Sequence, residues 1–283
     1  MRRVLIAGAN SYIGTMTAAH LDAFPERFVT RTLDLRGDWA EDAFDGFDAV
    51  VHVAGVAHRR ERAGDEALYF SINRDLAVKT ARLAKSAGVR QFIFLSSMSV
   101  YGLGCGRIAA DTPERPRSAY GLSKLEAERG LMELADDAFR VAILRPPMVY
   151  GPGCKGNYPR LSALIRRLPA FPRVRNERSM LYIGCLCAFL RRLLEDGGGG
   201  RFFPQNSEYV TTDELARQIA LANHKRLWQP RGLGWLLSFL APRAGVLSKV
   251  FGTLTYDKAM SAAFADEPQP PFSETIRLTE VGA

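Results

Sequence analysis

Val4-Leu5-Ile6-Ala7-Gly8-Ala9-Asn10-Ser11-Tyr12-Ile13-Gly14 sets a short apolar run against a glycine-bounded turn and the start of a helical pattern. Four consecutive apolar residues suit a buried β-strand and fall short of a signal-peptide core. Glycine in the turn lets the chain bend tightly and lets a ligand come close to main-chain N–H groups. Those groups lie at the positive end of a helix dipole, where a pyrophosphate can be held. Strand, turn and helix in this order form a dinucleotide site, and Gly8, Asn10, Ser11, Tyr12, Ile13 and Gly14 are its candidate contacts.

Further apolar runs at Phe28–Leu35, Ala49–Val53, Gln91–Leu95 and Val141–Leu144 alternate with amphipathic stretches at 72–87 and 120–134. This alternation predicts an α/β fold of Rossmann type, a doubly wound parallel sheet over residues 1–152 that later segments complete. After Pro152 the pattern loosens into short elements punctuated by prolines and the Gly197–Gly200 run, until a helix capped by Thr211 or Thr212 begins. Residues 153–283 read as a smaller, mainly substrate-binding lobe. Asp34 and Leu35 close the second run, where an acidic side chain binds the adenosine ribose and favours NAD. Too few residues separate Asp22 from Leu35 for the usual strand, helix and strand, so Asp34 also reads as the end of the adenine-side strand. Arg31 and Arg36 stand close enough to receive a 2′-phosphate, which keeps NADP open.

The chain has 283 residues, 47% of them hydrophobic, enough for a sizeable core. Its 38 basic and 30 acidic residues leave a net charge of +8, which admits nucleic acid, an anionic membrane or a phosphate-bearing ligand. Between Lys155 and Arg178 the basic residues are interleaved with Pro, Gly and aromatic residues instead of lining a helix. A loop-rich anion pocket is expected there, and no nucleic-acid face. Cys105, Cys154, Cys185 and Cys187 form neither a CxxC pair nor a zinc pattern, which predicts reduced thiols and no metal. The longest apolar stretch, Gly232 to Phe251, is broken by Pro242-Arg243 and Lys249. A cytoplasmic protein without stable membrane insertion is expected. Within that stretch Trp235-Leu236-Leu237-Ser238-Phe239-Leu240 fits a buried lobe helix or a homodimer contact more readily than a membrane-surface role.

Tyr120-Gly121-Leu122-Ser123-Lys124 places a phenol and an ammonium four residues apart, one above the other on a helix face. A free tyrosine, with a pKa of about 10, is a poor base at neutral pH, and a neighbouring cation favours its phenolate. The Gln91–Leu95 run ends in Ser96-Ser97-Met98-Ser99-Val100-Tyr101-Gly102, on the side of the sheet where strand ends meet ligands.

With these residues the chain resembles the extended short-chain dehydrogenases, the NAD-dependent epimerase/dehydratase family, over residues 3–185 and more faintly beyond. The first turn resembles the family's GxxGxxG fingerprint with one departure, Ser11, whose hydroxyl can reach a pyrophosphate while its Cβ crowds the approach. His52-Val53-Ala54-Gly55 resembles the adenosine-side turn, with His52 read as a packed strand residue. Ser97, Tyr120 and Lys124 resemble the family's triad. The resemblance implies Tyr120 as general acid and base on a sugar hydroxyl, Lys124 as the group that binds the nicotinamide ribose and lowers the Tyr120 pKa, and Ser97 as the group that orients the reacting oxygen. It further implies that Val53, Ala54, Gly55, Asn73 and Pro147 line the NAD site. Ser97, Met98, Asn157 and Arg178 would face a nucleotide-sugar substrate, Arg178 at its diphosphate. Arg145 and Asn73 read equally well as structural groups, one paired with a carboxylate, the other tying backbone to backbone.

Family dehydratases carry Asp-Glu directly after the catalytic hydroxyl residue, and here Met98 and Ser99 stand in those places. Elimination of water thereby loses its second proton donor and its base. Two readings of the same hydride chemistry remain. One is epimerisation at C4 of a UDP-hexose through a transient 4-keto sugar; the other is NAD(P)H-dependent reduction of a 4-keto sugar. A fainter resemblance places both in a branch of envelope-polysaccharide enzymes. A non-enzymatic reading, a dinucleotide-sensing regulatory protein, is disfavoured by the Tyr120/Lys124 couple, which such relatives typically lack. Gly184-Cys185 departs from the acidic residue or Asn that the family carries before Leu186.

Overall fold

A computed structural model describes residues 1–57, 66–230, 252–264 and 268–282; the stretch 232–251, with Trp235–Leu240, lies outside the described residues. The first half of the chain runs β1 (Arg2–Ala7), α1 (Tyr12–Asp22), β2 (Phe28–Leu33), β3 (Ala49–His52), α2 (Glu66–Tyr69), α3 (Leu76–Ser86), β4 (Gln91–Leu95), β5 (Gly106–Ile108), α4 (Ala119–Met132), β6 (Arg140–Leu144) and β7 (Met148–Tyr150). It continues through α5 (Asn157–Arg167), β8 (Met180–Tyr182), α6 (Ile183–Asp196), β9 (Gly200–Phe202), α7 (Thr212–Ala222), β10 (Leu254–Tyr256) and α8 (Phe272–Val281).

Two compact units share these elements. The first takes Met1–Gly102, Pro113–Pro146 and Leu186–Pro204, and the second takes Leu103–Thr112, Pro147–Cys185 and Gln205–Ala283. The chain leaves the first unit after Pro146 and re-enters it inside α6, so a later segment completes the sheet.

In the first unit, six strands form one sheet in the order β2-β1-β3-β4-β6-β9, every pair parallel. Every residue of β3 and β4 is buried, as expected of inner parallel strands covered on both faces. The edge strand β2 mixes buried and exposed positions. From β2 the chain crosses to the other side of β1 through a short 3-10 turn at Glu41–Phe44, without a full helix. The order reverses there, and the carboxyl ends of β1 and β3 flank a topological switch point, where open α/β sheets bind their ligands. Ala77, Ala81 and Ala84 on α3 join Val50, Phe92 and Phe94 in the core. Their small side chains let the helix lie close to the sheet, and each fully buried phenylalanine contributes about 1.5–3 kcal/mol of transfer free energy. Between α2 and α3, Phe70–Asp75 forms a π-helical turn that carries Asn73.

The second unit is built on two short parallel ladders, β5 with β10 and β7 with β8. Its core gathers Tyr150, Tyr158, Ile165, Met180, Ile219 and Ile276. Glu280 of α8 accepts from Tyr158 Oη at 2.8 Å, Ser162 Oγ at 2.9 Å and Asn223 Nδ2 at 2.8 Å, which fastens that helix to α5 and the end of α7. Thr211, of the two threonines, is the cap of α7, accepting from Glu214 N at 3.2 Å. Among the described residues no helix is long and apolar enough to cross a membrane.

Candidate active site

The dinucleotide side is built from two strand ends and a helix start. Gly8 leaves β1 at φ 125°, a conformation open to glycine and strained for L side chains. A Cβ there would lie 2.7 Å from the Ala54 main-chain nitrogen. At Gly14 a Cβ would lie 2.6 Å from the Gly8 carbonyl oxygen, 2.7 Å from Ser11 Oγ and 3.0 Å from Val53 Cγ2. The turn thus rests on Val53-Ala54 through bare backbone. Ser11 has a local task that its place in the sequence did not reveal: its hydroxyl accepts from Gly14 N at 3.0 Å and caps α1. The main-chain donors of this first turn, with the helix dipole behind them, are what an anion would meet.

Gly8 N and Ala9 N both donate to the Leu33 carbonyl, at 2.8 and 3.1 Å. Asp34, the next residue, consequently comes to the rim of the turn, where Asn10 Nδ2 donates to it at 2.7 Å. Arg36 folds back on the same carboxylate through its main-chain N, Nε and Nη2. These bonds hold the Asp34 carboxyl well below the usual carboxylate range, Arg36 contributing most. Leu35 instead packs in the core with Phe44 and Phe47, which leaves its main chain to meet a ligand. Asn73 is fully buried; it accepts from Val56 N at 2.8 Å and donates to Val56 O at 3.1 Å and to Ser123 Oγ at 3.2 Å. Its amide shapes the loop that carries Val53, Ala54 and Gly55 and ties it to α4. A Cβ on Gly55 would lie 2.9 Å from Asn73 Oδ1 and 3.3 Å from Lys124 Nζ, so this loop adjoins the tyrosine–lysine couple. A bare glycine cradle, a capped helix start and a carboxylate at the neighbouring strand end fit a dinucleotide.

The couple rests on the end of β4. Ser97 caps the 3-10 turn Met98–Tyr101, accepting from Ser99 N and donating to Ser99 Oγ, both at 3.1 Å. Met98 N donates to the Pro146 carbonyl at 3.0 Å and pins that turn to the end of β6. Ser118 caps α4 by accepting from Gly121 N at 3.0 Å, which starts the helix one residue before Tyr120. The Tyr120 hydroxyl is hydrogen-bonded to Ser97, and its ring meets the Tyr69 ring edgewise at 6.2 Å. Lys124 is buried, donates from Nζ to the Leu95 carbonyl at 2.7 Å and lies 4.5 Å from the Phe94 ring centroid. Burial pushes the Lys124 ammonium down to about 7, and the Glu128 charge opposes this.

Tyr120 departs from the expectation that Lys124 would lower its pKa. Desolvation is the largest influence and raises it above the ordinary tyrosine value, with the Ser97 hydrogen bond acting against it. Lys124 directs its ammonium to the Leu95 carbonyl and the Phe94 ring, so the protein's own groups hold Tyr120 as a phenol. Beneath the site, His52 is fully buried beside Phe92 and Phe94, with Nδ1 3.1 Å from Thr80 Oγ1. Burial, and then the Lys124 charge, lower its pKa to about 3 and keep it neutral.

Behind the couple Arg145 takes the structural one of its two readings, pairing with carboxylates; the sequence did not name its partners, Glu128 and Glu114, or the Ser96 and Tyr101 hydroxyls that join them. Pro147, Asn157 and Arg178 belong to the second unit. Pro147 is buried ahead of β7, and Asn157 is the exposed first residue of α5. Arg178 is half-buried, donates from Nη1 to the Gly252 carbonyl at 2.9 Å, and has its pKa lowered by burial. Cys105, Cys154, Cys185 and Cys187 are free thiols, and among the described residues no cluster could hold a metal ion.

The fold is that of a dinucleotide-dependent α/β enzyme. The NAD dependent epimerase/dehydratase family model matches residues 4–188, and the chain belongs to that family, whose cofactor is NAD. It is 34% identical over 223 residues to a UDP-glucose 4-epimerase of Vibrio cholerae, an alignment covering 74% of this chain and 68% of that protein. It is 29% identical over 215 residues to an N-acetyl-alpha-D-glucosaminyl-diphospho-ditrans,octacis-undecaprenol 4-epimerase of Escherichia coli O157:H7, covering 70% of this chain and 64% of the relative. Among solved structures, a UDP-glucuronic acid 4-epimerase from Bacillus cereus in complex with NAD shares the fold, with a TM-score of 0.75, 18% identity and coverage of 99% of this chain and 98% of that one.

Proposed function

We propose that this enzyme inverts C4 of a UDP-hexose by transient oxidation to the 4-keto sugar. The observation that carries the reading is the meeting of Ser97, Tyr120 and Lys124 at the carboxyl end of β4, with Met98 and Ser99 where a dehydratase needs an acid and a base. Such a site can move one proton at one hydroxyl and lacks the second pair that elimination requires. Both curated relatives described above are named for 4-epimerisation.

Tyr120 takes the proton of the C4 hydroxyl on oxidation and returns it on reduction, while Ser97 holds that oxygen in line with the phenol. Lys124 would bind the ribose next to the reacting ring. Gly8–Gly14, Asp34, Val53–Gly55 and Lys124 would hold NAD, which would supply a reversible hydride acceptor for C4. Because Tyr120 rests as a phenol, it must first release its own proton to solvent before it can take that of the C4 hydroxyl, and positive charge gathering beside it would favour that loss, which ties proton removal to an assembled complex. Burial lowers the pKa of the half-buried Arg178 guanidinium, whose charge a substrate diphosphate would offset.

Two measurements test the reading. The dinucleotide released on denaturing the purified protein should be NAD+, and UDP-galactose should be converted to UDP-glucose without added cofactor. Consumption of added NAD(P)H by a 4-keto sugar, with no interconversion, would make the enzyme a reductase. Tyr120→Phe should abolish turnover and leave NAD affinity nearly intact; substantial residual activity removes Tyr120 from its role.

A further inference from the structure

Arg145, at the end of β6, is 1% exposed. It donates from Nε to both Glu128 oxygens at 3.0 and 3.1 Å, from Nη1 to Tyr101 Oη at 2.9 Å, and from Nη2 to Glu128 and Glu114. Glu128 is fully buried and accepts a further bond from the Ser96 hydroxyl. One carboxylate thus joins three elements. It sits on α4 one turn beyond Lys124, reaches the end of β4 through Ser96, and reaches the end of β6 through Arg145. Ser96 precedes the 3-10 turn that starts after Ser97, and Tyr101 ends it, so both ends of that turn are tied to the same pair.

A buried ion pair is a weak device for stability, since apolar residues of like volume often do as well. Its directional, bidentate bonds are a strong device for fixing the relative placement of the elements that carry them. Resting on the assignment of Ser97, Tyr120 and Lys124 above, we propose that Glu128 and Arg145 form a positioning pair that keeps the α4 turn bearing Tyr120 and Lys124 in register with the strand end bearing Ser97. Glu128 is also the counter-charge one helical turn from Lys124, opposing the burial that drives that ammonium toward the neutral amine. His52 on β3, kept neutral by burial, also feels the Lys124 charge, and from α2 the Tyr69 phenol faces Tyr120 on the same helix as Lys124.

Three variants separate positioning from scaffolding: Glu128→Gln, Arg145→Met and the double substitution. The pH dependence of Lys124 acetylation by acetic anhydride, read by mass spectrometry on the protein with its NAD, needs no sugar substrate. Glu128→Gln should lower the Lys124 midpoint by about one pH unit or more and Arg145→Met should raise it, opposite signs that general loosening would not produce. The double variant removes both members of the ion pair together, leaves neither of the two unpaired and should fold, so it decides the matter if either single variant does not. It should bind NAD within about twofold of wild type, show a lowered Lys124 midpoint, and convert UDP-galactose with kcat reduced about tenfold or more and KM little changed. An unchanged midpoint or an unchanged kcat in the double variant overturns the proposal. Activity surviving Tyr120→Phe would instead sink the site assignment, and wild-type inactivity on UDP-galactose would sink the substrate reading and leave the acetylation arm to judge the pair.

Discussion

Gly14→Ala should damage both the stability and the cofactor affinity of the first unit. The new Cβ would stand 2.6 Å from the Gly8 carbonyl oxygen, whereas ordinary contact begins at 3.4 Å. Gly8 cannot retreat, because it is itself packed against the Ala54 main chain at a φ of 125°. Overpacking of this kind costs about 1–3 kcal/mol, and the better helix propensity of alanine returns at most about 1 kcal/mol. A net loss of about 1–2 kcal/mol is expected, a fall in melting temperature of roughly 2–8 °C for a chain of this size. Binding suffers more, since the displaced turn carries the main-chain donors for the pyrophosphate. Losing two charge-assisted bonds, at about 1.5–3 kcal/mol each, weakens NAD+ binding by at least about a hundredfold. Titration calorimetry with NAD+ and thermal denaturation measure both effects. Gly37→Ala is the control, because a Cβ there meets nothing within 4 Å, and it should be neutral or stabilising by up to about 1 kcal/mol. A Gly14→Ala protein that melts at or above wild type and binds NAD+ within about threefold would refute the packing argument.

Folded His52 stays neutral down to about 3, while the unfolded chain protonates it below about 6.5, so its contribution is complete above 6.5 and is lost toward 3 at up to about 1.4 kcal/mol per pH unit. Urea denaturation at pH 7 and pH 5 should show wild type losing about 2 kcal/mol more than His52→Asn, and equal losses would argue against a buried neutral imidazole. Ser11→Ala should cost about 1 kcal/mol in thermal denaturation and Ser11→Gly only a few tenths, whereas equal effects would deny the capping bond. Glu280→Ala strips a shared acceptor from Tyr158, Ser162 and Asn223 and should lower the stability of the second unit by about 2–3 kcal/mol, seen as faster limited proteolysis after α7.

Much of the fold was legible because its evidence is local. The inner strands of a parallel sheet are apolar on both faces, so Ala49–His52 and Gln91–Leu95 stand out as runs, and the turn after β1 carries its glycines in plain order. β9 is the opposite case: it is three residues long, begins at a glycine with φ 122°, and is a strand only because β6 offers it an edge. The π-turn at Phe70–Asp75 has no periodic signature either. In the site, Tyr120 and Lys124 share one helix and could be read from their spacing. For Arg145 a carboxylate partner could be expected, but that it is Glu128 could not, because the pair joins a helix to the end of another element. The direction of the Tyr120 pKa was also hidden, because it depends on how deeply the ring sits and where the Lys124 ammonium points.

The first unit is discontinuous in the chain, which bears on how it is made. Its sheet closes with β9, at residues 200–202, after most of the second unit's β7–β8 half has already been synthesised. Until then β6, whose Val141 to Leu144 are all buried in the finished fold, has a partner on one edge only. An unpaired apolar edge is a template for association with other chains. On the ribosome, the nascent protein therefore passes through an interval in which an incomplete sheet must be shielded, and a chaperone that binds extended apolar segments should be found on chains arrested near residue 190 and released from those arrested well past residue 240.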